Sequence, residues 1–364
     1  MRIGFDARMI NHPGIGRYIR CLLPEMFKLS PDDEFILLGN PVDLIAFSAY
    51  ENVNVREWKA PIYSALEQFI LPHLTKDIDL LHVPHFNIPM SYRGKLVVTI
   101  HDLIYMIFPD SLSSPVARWY ARFLISSAVE KSERIIAVSE HTKKDIKKIF
   151  GPEQEKKIDV VYEAASSIFR RVEDKARIAD VICRYRLSEQ IILYVGSIKP
   201  HKNVSTLIEV FNLLKSWGVP HQLVICGKWD KKEDRLKFIL SDRNIRYLGE
   251  VPTEDLIALY SMADILVHLS LYEGFGLTVL EAMQCGTPVV VSEVSALSEV
   301  AGDAAYAVHP KNVDNIADTI YNVLINRELR DKMAEFGLKH VRKFSWEFAA
   351  NHTLETYRKT LGNQ

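Results

Sequence analysis

The stretch Ser270-Leu271-Tyr272-Glu273-Gly274-Phe275-Gly276-Leu277-Thr278-Val279-Leu280-Glu281-Ala282-Met283, followed by Cys285-Gly286-Thr287-Pro288, reads as a strand end, a loop and a helix. Gly274 and Gly276 permit close backbone approach, and the amides near Gly276 and Leu277 open the helix. Unpaired donors and the positive end of the helix dipole suit a diphosphate at that point. Glu273 precedes the loop and Glu281 falls about one turn into the helix, so both carboxylates can face one ligand and accept hydrogen bonds from its hydroxyls. The same residues fit a plainer reading, with Glu273 capping the helix amides and Glu281 a solvated or paired helix residue.

Working outward, Tyr194-Val195-Gly196-Ser197-Ile198-Lys199-Pro200-His201-Lys202-Asn203 forms the turn after the first strand of the second half, where doubly wound folds bind phosphate. Lys202 is a mobile point charge able to neutralise a departing diphosphate, or else an exposed lysine at a helix start. In the first half, Ile100-His101-Asp102 ends a strand and puts an imidazole at the carboxyl edge of the sheet, as a ligand-facing group or a hydrogen-bonded structural histidine. Asn11-His12-Pro13-Gly14-Ile15-Gly16-Arg17 separates the first strand from a helix with Ile19, Leu22, Leu23 and Met26 on one face. Its glycines either approach a ligand or make an ordinary tight connection.

Short apolar runs alternate with helical patterns along the whole chain. Phe35 to Leu38, Leu96 to Ile100, Arg134 to Val138 and Ile158 to Val161 make one series, and Ile191 to Val195, Leu223 to Cys226, Ile265 to Val267 and Val289 to Val291 a second. That order predicts α/β architecture with two similar parallel sheets. The polar passage from Glu163 to Gln190 interrupts the pattern and marks the domain junction. Ser139, Thr253 and Ser345 are the expected helix caps. Asp77-Ile78-Asp79 has the spacing of a metal clamp, but it precedes the strand Leu80 to Val83, on the edge opposite ligand-binding loops, and reads as a surface turn. Lys143, Lys144, Lys147 and Lys148 read as a solvated helix face, and Trp119, Tyr120 and Phe123 as core-facing. Together with Arg118 and Arg122, these groups would also suit an anionic membrane surface.

At 364 residues, 48% hydrophobic and 25% charged, the chain can bury the cores of two domains. A net charge of −1 argues against nucleic acid as a partner. Cys21, Cys183, Cys226 and Cys285 are far apart, which disfavours a zinc site or disulfide framework and fits a reducing cytosol. A strand from the first residues, with no apolar run of membrane-spanning length, predicts a chain without signal peptide or anchor.

The Glu273 to Glu281 stretch resembles the E-x7-E signature of glycosyltransferase family 4, the retaining group with GT-B architecture. Gly14 to Tyr18, His101 to Leu103, Val138 to Glu140, Gly196 to Asn203 and Ser298 to Val300 recur in the order such enzymes carry them, so the resemblance spans nearly the whole chain. It implies two Rossmann-like domains with parallel sheets facing across a cleft. Residues 1–165 with a returning helix at 347–364 would form the acceptor side, and 166–346 the nucleotide-sugar side. Glu273 would contact the donor sugar, Glu281 the ribose, Lys202 the diphosphate and His101 the transferred sugar, with Gly16 lining the cleft. Gly196, Ser197, Lys199, Gly274, Phe275, Gly276 and Leu277 would complete the donor site, and the base would sit near Gly227 and Val251. Many members pair the lysine with an arginine in this turn; here Ser197 and His201 stand in the corresponding places, and Lys199 is the available substitute.

Within the family the motifs look most like mannosyltransferases that assemble bacterial surface polysaccharide. The resemblance therefore implies a GDP-mannose donor, a saccharide or lipid-linked acceptor, no cofactor and no metal. A UDP-sugar donor, a GT-B epimerase and a non-catalytic nucleotide-sugar sensor are the alternatives. A nicotinamide-dependent oxidoreductase is disfavoured because Gly14-Ile15-Gly16 lacks the third glycine of its fingerprint.

Overall fold

The computed structural model describes residues 1–58, 60–62, 64, 71, 73–112 and 114–362. The chain divides into two compact units, Met1–Glu163 with Phe344–Gln364, and Ala164–Lys343.

The first unit is built on seven strands: β1 Arg2–Asp6, β2 Glu34–Gly39, β3 Val53–Glu57, β4 Leu80–Val83, β5 Lys95–Ile100, β6 Arg134–Ala137 and β7 Ile158–Val160. They run parallel in the order β3-β2-β1-β4-β5-β6-β7. The central strands are near-continuous apolar runs because helices cover both faces of such a sheet. Helix α1, Ile15–Leu29, buries Ile19, Leu22, Leu23 and Met26 completely. The helix Trp346–Leu361, begun by Ser345 capping the Phe348 amide, packs against α1. Its Tyr357 hydroxyl bonds His82 Nδ1 at 2.5 Å, and the His82 Nε2 edge bonds Thr99 at 2.8 Å. Tyr18 reaches the same threonine at 3.1 Å, closing a polar network inside the unit.

The second unit holds β8 Ile191–Val195, β9 Gln222–Cys226, β10 Ile245–Gly249, β11 Ile265–His268, β12 Val289–Ser292 and β13 Tyr306–Val308. Their order is β10-β9-β8-β11-β12-β13, again parallel. Both sheets thus reverse direction once, between β1 and β4 and between β8 and β11. Crevices at the carboxyl ends of strands flanking such a reversal are where doubly wound folds bind ligands.

Some local expectations fail. Thr253 is the first residue of the helix Thr253–Met262, with Pro252 before it, and no side chain caps that end. The passage from Glu163 to Gln190, read as a break in the sheet pattern, contains no strand among its described residues; the units divide at its start, and it carries the helix Lys175–Tyr185, capped by Asp174. On helix α2, Pro115–Lys131, the buried apolar residues are Ala121, Leu124, Ile125, Ala128 and Val129, at helical spacing. That register turns Trp119, Tyr120 and Phe123 outward, 66%, 36% and 43% exposed, so they do not face the core. Asp77 does lie on the surface, paired with Arg56 and Arg2. Ser139 caps its helix as expected, accepting from Thr142.

Candidate functional site

The reversal in the second unit brings two loops together. β8 runs into Gly196 to Asn203, and β11 into Leu269 to Gly276. Asn203, in the left-handed conformation at φ 58°, donates to Leu269 O at 3.2 Å and Pro310 O at 2.8 Å. His201 O accepts from the Leu271 amide at 2.7 Å. These bonds dock the lysine turn against the glutamate loop.

The result is a cluster on one carboxylate oxygen. Glu273 Oε1 pairs with Lys202 Nζ and accepts from His268 Nε2 at 2.9 Å and Ser270 Oγ at 2.8 Å. Burial opposes ionisation of Glu273, but the Lys202 charge and the His268 bond outweigh it and hold the carboxyl well below the usual range. Glu273 therefore does not cap a helix: its partners are a cation, an imidazole and a hydroxyl.

Helix α3, Leu277–Gln284, starts immediately after the loop, and no side chain caps its amino end. Gly276 precedes it at φ 121°, and a Cβ there would lie 2.8 Å from Leu297 Cδ2. Phe275 and Gly274 are buried beside it. Glu281, one turn in, has no exposed surface and accepts from the Tyr260 hydroxyl at 3.1 Å.

Across the turn, Gly227 at φ 135° donates its amide to Gly249 O at 2.7 Å, two residues before Val251. A Cβ on Gly227 would sit 2.1 Å from Gly196 O, so the two turns touch by backbone. Ser197 O accepts from Tyr194. Lys199 is exposed. His201 is buried, and burial with the neighbouring Lys202 charge pushes its imidazole down to about 4, so it is no substitute for an arginine charge.

In the first unit His101 uses both ring nitrogens. Nδ1 lies 2.9 Å from Glu163 Oε1 and Nε2 3.1 Å from Pro84 O. A carbonyl only accepts, so Nε2 carries a hydrogen. Burial disfavours the imidazolium, but Glu163 more than compensates and raises the histidine above its ordinary value. Tyr18 meets the ring edge-on at 5.0 Å. Gly16 lies under the preceding loop, where a Cβ would fall 2.1 Å from Ile10 O.

Residues 34–165 match the family described as Glycosyltransferase Family 4, and residues 184–340 that described as Glycosyl transferases group 1. The chain is 32% identical, over 98% of its length and 100% of the relative's, to O-antigen chain mannosyltransferase B of Escherichia coli. It belongs to glycosyltransferase family 4. This family 4 enzyme is also 29% identical to an O-antigen chain mannosyltransferase of Salmonella typhimurium, over 78% of its own length and 72% of that chain. Its fold is similar to that of sucrose-phosphate synthase from Thermosynechococcus elongatus, with a TM-score of 0.77 at 19% identity over 100% of both chains. Anabaena HepE, solved with UDP and glucose, gives 0.76 at 17% identity, covering 98% of this chain and 99% of that one. The fold is GT-B, and the family 4 enzyme is a nucleotide-sugar-dependent glycosyltransferase.

Sequence reasoning missed His268, Ser270 as a glutamate partner, Tyr260 and Glu163. Ser270 stood three residues before Glu273, a spacing that allows a local hydrogen bond. His268 ends a buried strand and carried no signal.

Proposed function

We propose that the enzyme transfers mannose from GDP-mannose, with retention at the anomeric carbon, to a saccharide or lipid-linked saccharide acceptor in bacterial surface polysaccharide synthesis. The observation that carries this reading is the pairing of Lys202 with Glu273 beside the uncapped start of α3, at the sheet reversal of the second unit. A carboxylate held ionised can accept from sugar hydroxyls, and a lysine on a flexible stem can follow charge onto a diphosphate. The amides opening α3 add fixed positive potential for the leaving group, so no metal is required. Glu281, on α3, is the candidate ribose acceptor, and Gly227 to Val251 the base platform. The mannosyl assignment rests on the names of the Escherichia coli and Salmonella typhimurium relatives.

We place the enzyme in the cytoplasm, whose reducing conditions suit four cysteines so widely spaced in sequence. Among the described residues no helix is long and apolar enough to cross a membrane. The outward Trp119 and Phe123, stacked at 5.7 Å on the helix α2 that also carries Arg118 and Arg122, fit peripheral contact with an anionic bilayer.

A donor panel tests the reading: calorimetry and hydrolysis with GDP-mannose and UDP-linked sugars, on wild type and Glu273→Ala, with and without EDTA. GDP-mannose should bind, and turnover should survive EDTA. Preference for a UDP-sugar would favour the second reading, which the UDP-bound HepE structure motivates. Failure of both nucleotide classes would end the assignment.

A further inference from the structure

The three donors to Glu273 differ in kind. Lys202 brings charge on a flexible stem, and the Ser270 hydroxyl rotates freely. His268 is fixed: it closes β11, is 2% exposed, and its ring stacks on Tyr194 with centroids 5.7 Å apart and planes 13° from parallel. An ionised carboxylate only accepts, so Nε2 donates to Glu273 Oε1 across 2.9 Å. The other ring nitrogen, Nδ1, is buried without a hydrogen-bond partner among the described residues. A leucine would fill the same space and strand no polar atom, so packing alone does not account for a histidine here.

Direction matters as much as strength. Every hydrogen bond to the Glu273 side chain among the described residues falls on Oε1, and none on Oε2. Lys202 is the partner that the proposed diphosphate would attract away. Once it leaves, only His268 and Ser270 keep the carboxylate in place.

We propose that His268 is a positioning residue, clamping Glu273 by Oε1 so that Oε2 is presented to the donor sugar while Lys202 moves to the diphosphate. The clamp rests on the donor role given to Glu273 above; His268 touches no substrate. The ionisable groups facing Glu273 are Lys202 and His201 from the turn after β8, Tyr194 from β8 and His268 itself.

The test compares His268→Leu with His268→Gln, whose amide N–H can reach the same oxygen. The first readout needs no substrate: NMR titration of 13Cδ-labelled glutamate, with the Glu273 signal assigned by its loss in Glu273→Gln. Removing a donor to the charged form should move the Glu273 titration upward by about one pH unit in the leucine variant, and glutamine should restore most of it. The second readout is GDP release from GDP-mannose. We expect kcat to fall about tenfold or more in the leucine variant while KM changes less than about threefold, with partial rescue by glutamine. A leucine variant that titrates like wild type, or a glutamine variant as impaired as leucine, overturns the clamp. A shifted titration in a protein whose wild type does not turn over GDP-mannose upholds the clamp and rejects the donor instead.

Discussion

Lys202 and Glu273 neutralise one another, so removing either leaves a charge in a site that is mostly closed to water. We expect Glu273→Gln and Lys202→Ala each to lower kcat about 10²- to 10³-fold, with Lys202→Ala also weakening GDP binding, read by steady-state kinetics and calorimetry. His201 gives a pH signature of different origin. Its folded value of about 4 lies below the ~6.5 of an unfolded histidine, so between these the unfolded chain binds a proton that the folded one does not. Stability is therefore complete above that window, falls as pH drops through it and levels off below. Up to about 3 kcal/mol is expected from this group, and His201→Gln should flatten the slope in urea titrations followed by fluorescence. At this scale the sequence was legible where a motif set the spacing, as for Glu273 and Lys202. It was opaque where the chemistry depends on a partner distant in sequence: His268 looks like any strand end, and Glu163 meets His101 only because β7 lies two places from β5.

Elements were read from buried apolar runs, and the strands that escaped reading share one cause. β3, β10 and β13 are all sheet edges and partly exposed: Val-Asn-Val-Arg-Glu and Ile-Arg-Tyr-Leu-Gly break their apolar runs with polar residues, and Tyr-Ala-Val is only three residues long. The turns, by contrast, are constrained by backbone contacts. Gly227→Ala combines an unfavourable φ with collision against the Gly196 carbonyl, and we expect a loss of about 1–3 kcal/mol or more in thermal unfolding, together with weaker nucleotide binding. Helix α2 turns Trp119, Tyr120 and Phe123 outward where core packing was anticipated, and the proposed bilayer contact can be tested there. Trp119→Asp and Phe123→Asp should each reduce co-sedimentation with anionic lipid vesicles and leave the melting temperature within about 2 °C, because both side chains are already exposed.

Across the whole chain, the second unit is one continuous segment, while the first is assembled from both ends. Removal of the helix Trp346–Leu361 strips α1 of its cover and breaks the Tyr357 bond to His82. A chain ending at Lys343 should therefore lose the unfolding transition of the first unit and keep that of the second, which calorimetry can separate. The same arrangement sets an order of events during translation. Domains generally fold as they leave the ribosome, amino-terminal first, yet here the amino-terminal unit lacks a structural piece until the nascent chain has passed residue 361. At common elongation rates the intervening segment takes on the order of ten seconds to be made, an interval in which the nucleotide-binding half can finish folding while the face of α1 stays uncovered. That exposed apolar stripe is the point at which a nascent-chain chaperone would engage this enzyme.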